Sequence, residues 1–133
     1  MVVTAIAGLP GSGKTSLAER LARERGCVLR DDPRCDDLPK IAETIAEGRD
    51  IVIADQALCR QSARDALVKF VRSHDFNAEI NWIYFENDPE KALTNDSRRP
   101  KERRSTFLIA ELSLEYVIPD GASTVPVWEE REG

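Results

Sequence analysis

The chain has 133 residues, a formal net charge of −5 and a sequence pI of about 5.0. This length predicts a single domain over residues 1–133. No apolar run approaches the roughly 20 residues of a membrane-spanning helix, and the acidic balance disfavours a protein that coats nucleic acid. Three cysteines without metal-like spacing indicate reduced thiols. Because we find no signal-peptide pattern either, we expect a cytoplasmic protein without a membrane partner.

The first predicted elements are a strand, a glycine-rich loop and a helix. Residues 2–7 form an apolar run long enough for one buried strand, and residues 14–22 carry apolar side chains on one helical face. Between them, residues 8–15 read Gly-Leu-Pro-Gly-Ser-Gly-Lys-Thr, which fits the phosphate-binding pattern GxxxxGK[ST] at every fixed position. This motif requires a preceding strand and a following helix, so the context supports a nucleotide-binding loop.

The chemistry of this loop follows from its residue types. Glycine lets the backbone curl so that successive N–H groups face one concavity at the positive end of a helix, which is a site for polyphosphate. Lys14 adds a charge for the β- and γ-phosphates, and the Thr15 hydroxyl can ligate Mg²⁺. The residues predicted to bind ATP are Gly8, Gly11, Ser12, Gly13, Lys14, Thr15 and Ser16.

Short apolar strands alternate with helices along the rest of the chain. Such alternation is typical of a parallel sheet flanked by helices, so we predict an α/β fold with a five-stranded sheet. Pro126 suits an edge strand, because proline cannot donate a hydrogen bond to a neighbouring strand. The later predicted strands are residues 27–30, 51–54, 80–85 and 124–128, and the helices are residues 38–47, 60–73, 106–116 and a stretch opening at residues 88–89.

Charged residues follow the second predicted strand. Ligands gather at the carboxyl ends of strands in open α/β sheets. Asp31 or Asp32 offers a carboxylate that can take the proton of an acceptor hydroxyl, and Arg34 offers a cation that can stabilise a transferring phosphoryl group. The alternative is a polar loop whose acids cap the next helix, and spacing alone does not separate the two.

Asp55 ends the third predicted strand. In phosphate-loop proteins, an acid at this place lies beside the loop threonine, so we predict that Thr15 and Asp55 position Mg²⁺. The alternative role of Asp55 is to cap the next turn. Gln56 stands where motor-type ATPases generally have a water-activating glutamate, and the chain has no Asn-Lys-x-Asp segment for guanine selection. A kinase is therefore the leading class.

The segment 98–104 contains five basic residues and one acid. Such a run is usually a solvated charged face. Its place between two helices, late in a phosphate-loop protein, favours instead a closing lid around residues 95–105, which would bring arginine to the phosphates and exclude water. The run itself does not identify which arginine acts.

These motifs together resemble a known family. Residues 8–15, the block Arg-Asp-Asp-Pro-Arg at 30–34, the strand that ends in Asp55 and the block Asn-Asp-Ser-Arg-Arg at 95–99 resemble the small kinases typified by polynucleotide 5′-hydroxyl kinase. The resemblance implies a three-layer P-loop kinase fold, with a parallel sheet in the order 2-3-1-4-5 and helices on both faces.

The resemblance also implies roles for single residues. Asp31 matches the acid that activates the acceptor hydroxyl, Arg34 the arginine near the acceptor phosphate, and Arg98 the lid arginine on the donor. Lys14 and Thr15 match the donor-binding pair, and Asp55 matches the acid on the third strand.

The expected function is an ATP- and Mg²⁺-dependent kinase. It transfers the γ-phosphoryl group to a nucleic-acid hydroxyl, either a 5′ end or a hydroxymethylated base of DNA. Two alternatives stay open. One is a kinase of the same fold that acts on a small molecule, such as a nucleoside, sugar or antibiotic. The other is a non-catalytic module in which ATP orders the lid for a partner to recognise.

Overall fold

A parallel sheet of five strands forms the centre of the molecule, for which a computed structural model describes residues 1–128. The strand order is β2-β3-β1-β4-β5, which confirms the order implied by the resemblance. All four strand pairings are parallel. The strands are β1 (Val2–Ala7), β2 (Val28–Asp31), β3 (Ile51–Ala54), β4 (Glu79–Phe85) and β5 (Ser123–Val125).

Five α-helices cover the two faces of the sheet, as predicted. α1 packs on one face, where Ala18 and Ala22 contact a core cluster with Ile6 of β1. The other four helices contribute side chains to the clusters on the opposite face. The helices are α1 (Lys14–Arg25), α2 (Leu38–Ala46), α3 (Gln61–His74), α4 (Pro89–Ser97) and α5 (Thr106–Glu115), and short 3₁₀ turns cover Cys35–Asp37, Gln56–Cys59 and Lys101–Arg103.

The apolar strands are buried on both faces because helices lie above and below them. Val3 and Ala5 of β1 face one side and Ile6 the other, and each is fully buried. This is why the parallel strands are nearly continuous apolar runs rather than alternating patterns. In the described part of the chain, no helix is long and apolar enough to span a membrane.

Two strands differ from the sequence prediction in ways that affect the site. β2 begins and ends one residue later than predicted. Asp31 is therefore its last residue and pairs in register with Ala54 of β3. β5 ends at Val125 instead of continuing to residue 128. Pro126 has no N–H to extend the ladder. The chain leaves the sheet after β5, and the Trp128 N–H donates to the Ser12 carbonyl at 2.9 Å.

Candidate active site

The phosphate loop connects β1 to α1 and depends on two glycines in left-handed conformations. Gly11 has φ 86° and Gly13 has φ 106°, which L side chains rarely adopt. A Cβ at Gly11 would lie 2.7 Å from the carbonyl oxygen of Ala92 in α4, and one at Gly13 would lie 2.9 Å from Cβ of Trp128. The loop is therefore packed closely against α4 and against the segment after β5.

Lys14 is held at the centre of this loop with little access to solvent. Its side chain is 7% exposed, and Nζ donates to the carbonyl of Leu9 at 3.3 Å. Burial lowers the pKa of Lys14, and the nearby carboxylates of Asp32 and Asp31 act in the opposite direction. Because a buried ammonium gains most from an added negative charge, the loop favours an anionic ligand.

A buried hydroxyl in the loop points to the same ligand class. Ser12 is fully buried, and within the described residues its Oγ has no hydrogen-bond partner. Buried polar groups without a partner are rare in folded proteins and call for an explanation such as a ligand. A phosphate oxygen in the loop can provide that partner.

Above the loop lies a cavity of about 220 Å³. It brings together five of the seven residues predicted to bind ATP with residues from α4, the lid and the C-terminal segment. Its lining residues are Gly11, Gly13, Lys14, Thr15, Ser16, Asn95, Arg99 and Trp128. Gly8 and Ser12 belong to the same loop but are not part of this lining.

Asn95 of α4 connects the phosphate loop with the segment after β5. Its side-chain amide donates to the carbonyl of Gly11 at 2.8 Å and to that of Trp128 at 2.7 Å. No sequence pattern predicts these two contacts of Asn95, because a bond between residues 84 positions apart leaves no local signal. Trp128, which the sequence analysis placed in the last predicted strand, flanks this cavity above the phosphate loop (the nucleotide cavity) and is 52% exposed.

The basic segment 98–104, predicted to be a lid, is folded around one buried acid. Asp96, at the end of α4, is fully buried, and its carboxylate accepts from the N–H of Ser105, with 2.8 Å to the nearer oxygen. Arg99 lies 3.7 Å from the same carboxylate and also lines the nucleotide cavity. Asp96 therefore anchors both ends of the basic segment. The role that the resemblance gives to Arg98 stays a prediction, because Arg99 is the lid arginine in the cavity lining.

Asp31 lies at the carboxyl end of β2, in contact with the loop. Its Oδ2 accepts a hydrogen bond from the Thr15 hydroxyl at 2.8 Å. The acid predicted to activate the acceptor is thus adjacent to the hydroxyl predicted to ligate Mg²⁺. The next residue, Asp32, has φ 45° and donates its N–H to the Ala54 carbonyl at 2.7 Å, so the chain turns sharply here.

Asp55 lies at the end of the neighbouring strand, where the structure shows its capping role. Its Oδ1 accepts from the Ala57 N–H at 2.9 Å, so it does cap the next turn. Burial raises the pKa of the Asp55 carboxyl, with smaller effects from Asp32 and Lys14. Those influences place Asp55 within electrostatic reach of the loop, and its part in holding Mg²⁺ stays a prediction.

Arg34 is exposed on the loop after β2. Its backbone N–H donates to Oδ2 of Asp37 at 2.8 Å, which closes the 3₁₀ turn before α2. The structure brings Arg34 together with Asp55, since both line a second cavity. The role of Arg34 near an acceptor stays a prediction.

Comparison with known proteins rests on structure alone. No protein-family model and no curated sequence matches the chain. A gluconokinase from Sinorhizobium meliloti 1021 is similar, with a TM-score of 0.70 and 18% identity over 96% of this chain and 83% of that one. Kti12 from Chaetomium thermophilum, solved in complex with ADP-AlF3, has a TM-score of 0.65 and 18% identity over 98% and 91% of the two chains.

The chain has the P-loop NTPase fold. A sugar kinase from Janibacter sp. HTCC2649 is a further neighbour, with a TM-score of 0.65 and 16% identity over 96% and 84% of the two chains. Two of the three neighbours are named as kinases, one a gluconokinase and one a sugar kinase. The likeness to polynucleotide kinase that the sequence motifs carried is not confirmed.

The donor atoms at this P-loop suit Mg²⁺. The Thr15 hydroxyl and the carboxylates of Asp31 and Asp55 are oxygen ligands, which this ion prefers, and it usually takes only one or two from protein when phosphates provide others. Within residues 1–128, no group of three or more His, Cys, Asp or Glu residues could hold a metal by itself. A Mg²⁺ ion here would therefore be shared with the nucleotide.

Proposed function

We propose that this P-loop protein is a phosphotransferase that moves the γ-phosphoryl group of ATP to a hydroxyl of a small molecule. The observation that carries the proposal is the contact of Asp31 with Thr15, because it places a carboxylate at the end of the phosphate loop. This carboxylate can take the proton of an acceptor hydroxyl, a step that a module that only binds ATP does not perform.

Each group in the site has a task in this reaction. The oxygen of the acceptor hydroxyl forms a bond to the γ-phosphorus, the bond from that phosphorus to the β–γ bridging oxygen breaks, and ADP leaves with the bridging oxygen. Asp31 takes the hydroxyl proton. Lys14 and the loop N–H groups hold the phosphates, while Arg34 and the lid arginines, Arg98 and Arg99, stabilise the charge on the transferring group.

Magnesium would be held by Thr15 together with Asp55 or Asp31, and when bound it neutralises part of the phosphate charge. Alignment of the acceptor and the phosphates accounts for most of the catalysis expected of such a site, since the transfer requires little covalent chemistry from the protein.

Two observations favour a small acceptor over nucleic acid. The net charge is −5, whereas affinity for nucleic acid rests on several cationic contacts to phosphates. The cavity that contains Arg34 and Asp55 has a volume of about 350 Å³, within the range of about 300–1,000 Å³ that is typical of small-molecule sites. The gluconokinase and sugar kinase neighbours agree with this choice of acceptor.

Transfer of label from γ-labelled ATP in the presence of Mg²⁺ tests the proposal. The acceptors are pooled nucleosides, sugars and simple alcohols, with 5′-hydroxyl DNA, 5′-hydroxyl RNA and hydroxymethylated DNA as separate arms. We expect label on a small molecule, with turnover that changes little with salt.

Label only on nucleic acid, with turnover that falls steeply as salt rises, would restore the acceptor that the sequence favoured. Tight ATP binding without label on any acceptor would overturn the phosphotransferase and support the ATP-binding module.

A further inference from the structure

The cavity that contains Arg34 and Asp55 is a groove between α2 and α3, and its walls are almost entirely apolar. α2 contributes Leu38 and Ile41, and α3 contributes Leu67 and Phe70. With a volume of about 350 Å³, this groove is larger than the nucleotide cavity, at about 220 Å³.

The charged residues of the groove come from one edge of the sheet. Asp55 follows β3, and Arg34 lies on the loop that follows β2. Asp31, the proposed base, pairs with Ala54 immediately before Asp55, so it lies at the same edge. The apolar walls, in contrast, come from the two helices. A molecule in the groove would thus present one end to Arg34 and Asp55, at the edge of the sheet that also carries Asp31, and the rest of its body to apolar side chains.

A groove with charged residues at one end and apolar walls elsewhere should bind some alcohols better than others. A polyol buried here would lose hydrogen bonds to water for which the helical walls offer no replacement. An aromatic or branched aliphatic body would instead remove apolar surface from water on both sides. Binding is weakened most when buried polar groups are left without hydrogen-bond partners. The groove should therefore strongly prefer an apolar alcohol to a polyol.

We propose that the groove is the acceptor pocket and that the acceptor is a compact alcohol with an aromatic or branched aliphatic body, not a sugar or other polyol. The proposal rests on the phosphotransferase function proposed above. The transfer is the one already described: the alcohol oxygen bonds to the γ-phosphorus, ADP leaves with the bridging oxygen, and Asp31 receives the proton.

Binding is tested first, because it does not depend on activity. Saturation-transfer NMR on the full chain compares 2-phenylethanol with D-gluconate at equal concentration. We expect saturation on the aromatic protons of 2-phenylethanol and little on gluconate. Ala66, exposed on α3 in the groove lining, provides a blocking variant, Ala66→Trp. Ala110→Trp makes the same change on the exposed surface of α5 and is the matched control.

Kinetics on the same variants complete the test. With 2-phenylethanol as acceptor, Ala66→Trp should raise its KM by about tenfold or more, while the KM for ATP stays within about twofold of wild type. Ala110→Trp should change neither value. Equal binding of 2-phenylethanol by wild type and Ala66→Trp would overturn the groove as its site.

The two proposals fail in different ways. Transfer to gluconate in preference to 2-phenylethanol would overturn the apolar acceptor and leave the phosphotransferase intact. Binding of 2-phenylethanol in the groove without transfer from ATP to any alcohol would overturn the phosphotransferase, and with it the groove as an acceptor pocket.

Discussion

Charged side chains in this site are kept in surroundings that disfavour their charge. Lys14 and Asp55 both lie where burial shifts the pKa toward the neutral form, downward for the lysine and upward for the acid. Neither arrangement is required for folding, because a neutral side chain of similar shape would avoid the cost. Groups held in this way are typical of functional sites, where a ligand or metal supplies the missing charge.

Asp55→Asn should lower phosphoryl transfer without lowering the stability of the fold. The amide keeps an oxygen to accept from the Ala57 N–H but has no charge to bury. Because the folded pKa of Asp55 is raised, the wild-type chain loses stability as pH rises from the ordinary carboxyl pKa of 3.8 through the folded value, and the loss persists above it. The variant should therefore match or exceed wild-type stability at neutral pH, while transfer falls by about tenfold or more.

Thermal unfolding at several pH values, without Mg²⁺ or nucleotide, measures this effect. The difference between variant and wild type should disappear below the ordinary carboxyl pKa. Asp55→Ala is the control, since it also removes the cap and should cost about 1 kcal/mol. An asparagine variant that is less stable than wild type at neutral pH would contradict burial as the cause.

The basic segment predicted to be a lid is an element whose position depends on one buried carboxylate. Asp96 accepts from Ser105 at the start of α5 and lies near Arg99, so the basic segment between them is closed into a short loop against the helices. The 3₁₀ turn Lys101–Arg103 keeps that loop compact. Of the two adjacent arginines that follow α4, Arg99 is the one in the cavity lining.

Single replacements of Arg98 and Arg99 should show which of the two contributes more to phosphoryl transfer. Arg99→Gln should lower kcat by about a hundredfold or more, because it removes a cation from the transferring phosphoryl group, and Arg98→Gln should have the smaller effect. Steady-state kinetics with ATP and a small alcohol acceptor measures both. Lys101→Gln removes the same charge at an exposed position of the lid and controls for long-range electrostatics. A larger loss in Arg98→Gln would restore the assignment made from the resemblance.

At the scale of the whole molecule, the sequence predicts the sheet well. The phosphate-loop motif fixes β1 and α1 at once, and the apolar runs of β3 and β4 are bounded by polar residues, so their positions follow from local patterns. β5 is less well predicted, because the chain after Val125 pairs with the phosphate loop through Trp128 rather than with a strand. No local pattern distinguishes these two kinds of extended segment.

The residues of the candidate site also differ in how well the sequence predicts them. Lys14, Thr15 and Asp31 come from a motif and from strand ends, and the structure brings the last two into direct contact. Asn95 and the choice of Arg99 over Arg98 in the cavity depend on contacts between α4, the loop and the C-terminal segment. Such contacts form only when distant parts of the chain are folded together, so one sequence does not show them.

Asp31 is the proposed base of the phosphotransferase. ATP binding by calorimetry and γ-phosphoryl transfer to pooled small alcohols, both measured for wild type and Asp31→Asn, test this role. Asparagine still accepts from Thr15 but cannot take a proton, so ATP affinity should stay within about threefold while transfer falls by about 10²–10⁴-fold.

Asp36→Asn changes an exposed acid of the same loop and should leave both values unchanged. Transfer by Asp31→Asn at the wild-type rate would contradict the assignment of Asp31 as the base.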